Sequence, residues 1–508
     1  MTKETKRPNI LFITSDQQRG DCYGFRGRNV QTPHLDLLAS EGTSLETVVT
    51  PCVVCQPARA SILTGLLPRT HGVHDNGIDL DPEIGEKGFA ASLSASGYHT
   101  AVIGKAHFAT YHVFGDSETV ESIPGSRQVP EGWKGPYMGF DHAELVHIGH
   151  NWWLPEKPPG GLAYEEWYYG DGRGEWKNKL LWASARDHKG APQTWSSKLP
   201  VAWHNSTWIA DRAIDYLKQN HEKPFCLWVS FPDPHHPFDC PEPWASLHRP
   251  EDVDLPEHRT RNFEGRPWWH AAAVESEIPA EHAEIRSKYS RLAELTDEHL
   301  REVIANTYGQ LALIDHSVGR ILIELDAQGL AEDTYIVYTA DHGDWLGDHG
   351  LVLKGPMPFE GLLNVKAIVK GPDVPAGKVS EEPLSTLDLG ATFMDWAGAD
   401  SLMKIHGESM RDVISGEGTR AAAFSEWELL PGRVGVGLSL RTVRSKTAKL
   451  TMDLKSGAGE MYNLQDDPQE MDNLFDLPEH AELQQELTDI LMSRPDDIQP
   501  DRVPVGMA

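Results

Sequence analysis

Five short runs of apolar residues, each too short to be a packed helix, recur along this chain with helical patterning between them. The first is Asn9 to Ser15, followed by Thr100 to Gly104, Phe225 to Phe231, Thr334 to Thr339 and Val365 to Val369. A half-exposed strand alternates apolar and polar residues. A run without alternation marks a strand buried on both faces, as in a parallel sheet covered by helices. Helical patterns cover Thr32 to Glu41, about Thr207 to Asn220, about Glu298 to Gln328 and Ser385 to Ala397. Strands alternating with helices predict an α/β fold, a doubly wound and mostly parallel sheet flanked by helices.

The 508 residues admit one large α/β unit with an appendix. The expected division is a catalytic domain over 1–400 and a smaller C-terminal α+β subdomain over 401–508. In the latter, Thr442 to Leu454 reads as a hairpin, Glu460 to Leu464 as a last strand and Glu479 to Met492 as a closing helix. Two stretches interrupt the alternation, near 114–204 and 241–297. Neither suits a structureless loop, so both are expected to form excursions at the sheet edge or the mouth of a site. Trp152, Trp153, Trp167, Tyr168, Tyr169, Trp176, Trp182 and Trp195 crowd the first. They suit an aromatic wall, packing of the excursion, or the contact of a homodimer or homotetramer.

The formal net charge is −30, from 46 basic and 76 acidic residues. Such a balance excludes nucleic acid and anionic membranes as expected partners. The five cysteines are odd in number and scattered, against a disulfide framework. The polar, basic start leads directly into the first strand and no stretch is long enough to span a bilayer, so the expected location is cytoplasmic.

In open α/β sheets, ligands bind beyond the carboxyl ends of the strands. There the sequence sets Asp16 and Gln17 after the first strand, Lys105 and His107 after the second and His235 after the third. Asp341 and His342 follow the fourth, with Lys354 in the loop beyond. Between the first two strands lies Cys55-Gln56-Pro57-Ala58-Arg59. Pro57 suits the first turn of a helix running from Ala58 to Thr64 and ended by Gly65. Cys55 would then stand at the start of a helix, where the dipole and free N–H groups favour negative charge, with Arg59 one turn on. Each residue has a bland reading. An aspartate at a strand end often caps a helix, and a lone cysteine is most often buried and inert. Cys52 and Cys55 also form a Cys-x-x-Cys pair, but no second ligand pair stands nearby to complete a zinc site. Five separate segments converging on the same sheet edge favour a site.

The order Cys-x-Pro-x-Arg followed by Ala60 to Gly65 resembles the sulfatase signature. The resemblance extends in family order through Arg7 to Gln17, Gly104-Lys105-Ala106-His107, Pro234-His235-His236-Pro237 and Asp341 to His349, and through the tail from Glu460 to Leu474. The chain is similar to sulfatases and to phosphonate monoester hydrolases of the alkaline-phosphatase-like superfamily. That likeness implies that Cys55 is oxidised to formylglycine by a formylglycine-generating enzyme. It implies one divalent metal held by Asp16, Gln17, Cys55 as formylglycine, Asp341 and His342. It further implies that Arg59 steadies the formylglycine hydrate and that Lys105 and Lys354 hold the ester's non-bridging oxygens. His235 would protonate the leaving oxygen and His107 act as base, two roles the sequence leaves exchangeable. Asn76 matches a substrate-contacting position of the phosphonate hydrolases.

Many sulfatases carry Asp where Gln17 stands and Asn where His342 stands, and hold calcium. An amide and an imidazole make the donor set softer and less charged, which favours manganese, with calcium the alternative. Gln17 and His342 match the phosphonate hydrolases, whereas Lys105 and His107 match the sulfatases. The expected activity is hydrolysis of sulfate monoesters, accompanied by phosphate and phosphonate esters. The alternatives are a phosphonate monoester hydrolase or phosphodiesterase and, remotely, a non-catalytic binding protein with unmodified Cys55.

Overall fold

The computed structural model describes residues 7–147, 161–219, 221–278, 280–287 and 292–507. Trp152 and Trp153 lie outside the described residues. Eight strands form the large sheet: β1 (Asn9–Ser15), β2 (Thr43–Leu45), β3 (His99–Lys105), β4 (His142–Val146), β5 (Phe225–Ser230), β6 (Thr334–Ala340), β7 (Ala367–Lys370) and β8 (Lys378–Ser380). Their order is β8-β2-β7-β6-β1-β5-β3-β4. Only β7 runs against the others, pairing antiparallel with both β6 and β2. The five apolar runs are strands of this sheet, and β1 lies near its centre between β5 and β6.

The continuous apolar runs have the predicted cause. Leu11, Ile13, Ile103, Leu227, Val229, Ile336 and Tyr338 point to one face, and pack with the helices Pro33–Ser40, Asn205–Leu217 and Asp297–Ala327. Their chain neighbours Ile10, Phe12, Val102, Trp228, Tyr335 and Val337 point to the other, under Cys55–Thr64, Phe89–Ala95 and Leu389–Ala397. Each buried aliphatic or aromatic side chain contributes about 1.5–3 kcal/mol of transfer free energy. A strand covered on both sides therefore keeps its middle apolar, with polar residues such as Thr14, Ser15 and Ser230 toward its carboxyl end, and the charged residues begin there.

Thr32, the residue before the helix Pro33–Ser40, makes no side-chain cap to it. Its hydroxyl donates to Asp36 and accepts from the Gly24 N–H, both at 2.8 Å, bracing the preceding loop. The signature helix starts three residues earlier than expected, at Cys55, and ends as expected at Gly65, whose φ of 67° is left-handed.

The C-terminal part is a four-stranded antiparallel sheet of β9 (Ala422–Leu429), β10 (Leu438–Ser445), β11 (Ala448–Asp453) and β12 (Gly459–Asn463). The helix Ala481–Met492 covers one face through Leu487 and Leu491 against Val443 and Leu450. The other face shares a core with the large unit, Trp427, Leu429, Leu440 and Tyr462 packing with Val49, Cys52, Val54, Trp345 and Leu362. The excursions carry the helices Ala163–Gly170, Gly174–Leu181 and Trp268–Glu275. Trp182 stacks on Trp195 with ring centroids 4.9 Å apart, and Trp176 meets Trp203 edge-on.

Gly104 is the closest approach inside the sheet. Its φ is 113°, and a Cβ there would lie 1.9 Å from the Ser230 carbonyl oxygen. Gly104→Ala is predicted to destabilise the fold by about 2 kcal/mol or more through backbone strain and overpacking. A thermal midpoint equal to wild type would show that β3 can shift there at no cost.

Candidate active site

Parallel register builds the site. Ser15 lies opposite Ala340 in the β1–β6 pair, and Gly104 opposite Ser230 in the β3–β5 pair. The next residues, Asp16, Asp341 and Lys105, therefore emerge side by side at the carboxyl edge. All three are buried. The Asp16 N–H donates to the Asp233 carbonyl (3.1 Å), which draws the loop bearing His235 to the same edge. Gln17 turns through a left-handed conformation (φ 65°), and its N–H donates to Asp341 Oδ1 at 3.1 Å.

Cys55 is the first residue of its helix. Its Sγ lies 3.0 Å from His342 Nε2, 2.9 Å from Lys354 Nζ and 3.7 Å from Asp16 Oδ1. The donor atoms of Asp16, Cys55, Asp341 and His342 all lie within 4.8 Å of one another. The Nδ1–H of His342 donates to the Gly343 carbonyl at 2.8 Å, which turns Nε2 inward as the atom that would meet a metal cation. Gln17 Oε1 joins the group, 2.9 Å from the Lys354 ammonium that also touches Cys55. Two carboxylates, an imidazole, an amide oxygen and residue 55 suit a single divalent cation of intermediate softness.

The cations form the other half. Lys105 Nζ pairs directly with Asp16. Arg59 is wholly buried. It donates from Nε to Asp341 Oδ2 (2.7 Å) and from one terminal nitrogen to the Lys105 carbonyl and to Ser230 Oγ (both 2.8 Å). Its other terminal nitrogen has no hydrogen-bond partner among the described residues and stands 3.6 Å from Asp16 Oδ2. Burial opposes ionisation of Asp16, yet Lys105, His235, Arg59 and Lys354 hold its carboxyl well below the usual range. Burial and Asp16 likewise push the Cys55 thiol up, but Lys105, Lys354 and His342 overcome them and bring it down to about 7. Asp16 and Asp341 set against Arg59, Lys105 and Lys354 leave the pocket positive inside a strongly acidic chain.

His107 also adopts a left-handed backbone (φ 55°). Glu121, from the first excursion, holds it there. Its carboxylate accepts the N–H groups of His107, Phe108 (2.8 Å) and Ala109 (3.1 Å), together with the Tyr137 hydroxyl (2.7 Å). The His107 ring is buried, with neither nitrogen hydrogen-bonded among the described residues. Burial, then Lys105 and Arg59, push its pKa well below the usual value, leaving a neutral imidazole able to accept a proton. His235 is half-buried and stacks on His236 with centroids 3.9 Å apart. Its Nδ1 donates to the His236 carbonyl at 2.7 Å, which leaves Nε2 for a ligand. Burial, His236 and Lys354 depress its pKa too; an anion close by would raise it and favour the acid form.

Every residue expected from the sequence except Asn76 is linked to this cluster by a contact or a charge interaction. Asn76 lies beside it, its Oδ1 committed to the Gln56 N–H (3.0 Å) in the first turn of the signature helix, so a ligand would meet its amide nitrogen. Ser230 and Glu121 were not found from the sequence. Ser230 is the last residue of an apolar strand, and a hydroxyl at a strand's carboxyl end is a usable signal. Glu121 sits in an irregular, Gly- and Pro-rich stretch and has none.

A family model for the sulfatases matches residues 8–399, and one for the C-terminal part of N-sulphoglucosamine sulphohydrolase matches 347–496. The chain belongs to the sulfatase family and is a sulfuric ester hydrolase by family. It is 28% identical over 502 residues to an arylsulfatase of Clostridium perfringens, covering 94% of this chain and 92% of the relative. It is 29% identical over 432 residues to the multifunctional alkaline phosphatase superfamily protein PehA of Trinickia caryophylli, covering 80% and 76%. Among solved structures, the phosphonate monoester hydrolase of Agrobacterium radiobacter superposes with a TM-score of 0.76 at 25% identity, covering 96% of this chain and 95% of that one.

The unconverted, metal-free protein is predicted to show one thiol ionising at about pH 7, below the range of an ordinary cysteine, by absorbance at 240 nm. Cys55→Ala should abolish that step. A single thiol transition above pH 9 would mean that the three cations do not outweigh burial.

Proposed function

We propose that this chain is a metal-dependent sulfatase that uses formylglycine derived from Cys55 to hydrolyse sulfate monoesters, with accompanying action on phosphate and phosphonate esters. The observation that carries the reading is Cys55 at a helix start, within 4.8 Å of the donor atoms of Asp16, Asp341 and His342. The softened donor set favours Mn2+ over Ca2+. When bound, the metal would supply Lewis acidity toward the ester and lower the pKa of a coordinated hydroxyl. Formylglycine, once hydrated, would supply the nucleophile and a second hydroxyl for release. Maturation in this reading requires a formylglycine-generating enzyme.

The chain's own residues supply the rest. In-line displacement at sulfur or phosphorus gathers charge on oxygens that must be met by fixed cations. Arg59, whose planar fork suits paired oxygens, would steady the side chain of residue 55, and Lys105 and Lys354 would bind the ester oxygens. Lys354 is half-buried whereas Arg59 and Lys105 are buried, so of the three it would stand nearest a leaving group on its way to solvent. His235 would give a proton to the leaving oxygen, and His107, neutral and without a hydrogen-bond partner among the described residues, would take one from residue 55. Glu121 would keep His107 in its strained conformation.

A second reading, phosphonate monoester or phosphodiester hydrolysis, is favoured by Gln17 and His342 in the donor set and by the likeness to the Agrobacterium radiobacter enzyme. Matched rates on an aryl sulfate and a phenylphosphonate monoester separate the two. The first reading expects the sulfate to be the better substrate; preference for the phosphonate by orders of magnitude would install the second.

Mass analysis of the peptide around Cys55 should show a loss of about 18 mass units, the difference between thiol and aldehyde. An unmodified thiol in active protein would contradict the nucleophile assignment. Excess chelator is predicted to abolish turnover, and Mn2+ to restore it better than Mg2+; full turnover in chelator would refute an exchangeable metal. His342→Asn should move the preference toward Ca2+, and an unchanged order of metals would refute the softness argument.

A further inference from the structure

A glutamine in a metal site has a wrong way round. Its amide oxygen can ligate a cation, whereas its NH2 group repels one, and the two shapes are nearly identical. Something must therefore select the orientation of Gln17. Its Nε2 donates to Asp344 Oδ2 at 2.6 Å, with His236 Nδ1 a more distant neighbour at 3.5 Å. Its Oε1 accepts from Lys354 Nζ at 2.9 Å, on the side where the same ammonium reaches Cys55 Sγ (2.9 Å) and His342 Nε2 (3.3 Å). The amide is thus held between an acceptor behind it and the cluster of donor atoms in front.

Asp344 is itself immobilised. Its Oδ1 accepts the N–H groups of Leu346 (2.7 Å) and Leu353 (2.8 Å), and the residue is 3% exposed. One oxygen is fixed in the loop and only the other faces Gln17.

We propose that Asp344 is a positioning residue that orients the Gln17 amide so that its oxygen faces the cation. A neutral ligand and a buried carboxylate behind it would then act as a pair. The inference rests on reading Asp16, Gln17, residue 55, Asp341 and His342 as the metal site. Asp344→Asn tests it with little change of shape. The asparagine oxygen can still receive Leu346 and Leu353, but its NH2 group would face Gln17 and turn that amide around, presenting a donor to the metal.

The experiment is calorimetric titration of Mn2+ into metal-free wild type, Asp344→Asn, Gln17→Ala and the double variant. Asp344→Asn and Gln17→Ala should each weaken binding by about 10- to 100-fold, the range for loss of a ligand's hydrogen-bonded support. The double variant should bind no worse than the weaker single, because Asp344 acts only through Gln17. Binding by Asp344→Asn as tight as wild type, or a full additional loss on top of Gln17→Ala, would overturn the inference; the second result would mean that Asp344 acts by its charge alone. Wild type that binds no Mn2+ would overturn the metal-site reading and the inference with it. Should Asp344→Asn not fold, Gln17→Glu/Asp344→Asn decides. It keeps the pair with donor and acceptor exchanged and is expected to bind Mn2+, and its failure to fold or to bind would overturn the inference.

Discussion

Two buried carboxylates side by side, Asp16 and Asp341, are the constraint from which the rest of the active site follows. Neither could remain ionised away from water without partners, since burial of a lone charge costs several kcal/mol even after the protein relaxes. Arg59 bonds Asp341 and stands beside Asp16, and Lys105 pairs with Asp16. Those cations come from the signature helix and from the end of β3, so the charge balance ties four parts of the chain together at one edge. Breaking such a pair by removing one partner typically costs about 3–5 kcal/mol, which makes the site a structural joint as well as a place for chemistry.

The same arrangement answers what an acidic protein could do with an anionic ester. The net charge of −30 belongs to the whole chain, whereas the pocket holds Arg59, Lys105 and Lys354 against Asp16 and Asp341. At short range and low dielectric the local balance governs binding, and distant surface carboxylates are screened over about 8–10 Å at ordinary ionic strength. The histidines fit this field. His107 and His235 stand neutral because burial and the cations around them oppose a further positive charge. An arriving anion would reverse that balance, so proton transfer and substrate binding are coupled through one field.

The sequence carried the fold where both faces of a strand are covered. β1, β3, β5 and β6 are visible as apolar runs because, His99 at the start of β3 apart, every position in them is buried. Other strands were harder to see for definite reasons. β2 and β8 have three residues each, too few for any period, and β4 joins the sheet edge from inside an irregular excursion. The reversed direction of β7 leaves no trace in Ala367–Lys370, because direction is decided by the connection and not by side chains. β9 went unread although it is the longest partner of β10.

In the site, residues that act with their own charge or lone pair were legible, because Asp, His, Lys, Cys and Arg stand out at strand ends. Residues that act through a neighbour were not. Glu121 serves three backbone N–H groups from a segment without pattern, and the motif marks Asp344 as a supporting or structural acid without showing which amide it holds.

The most direct measurement of the central claim is diffraction from crystals of Mn2+-loaded protein on either side of the manganese absorption edge. The account predicts one anomalous peak bounded by the side chains of Asp16, Gln17, residue 55, Asp341 and His342. No peak there, or a peak held by other residues, would contradict it.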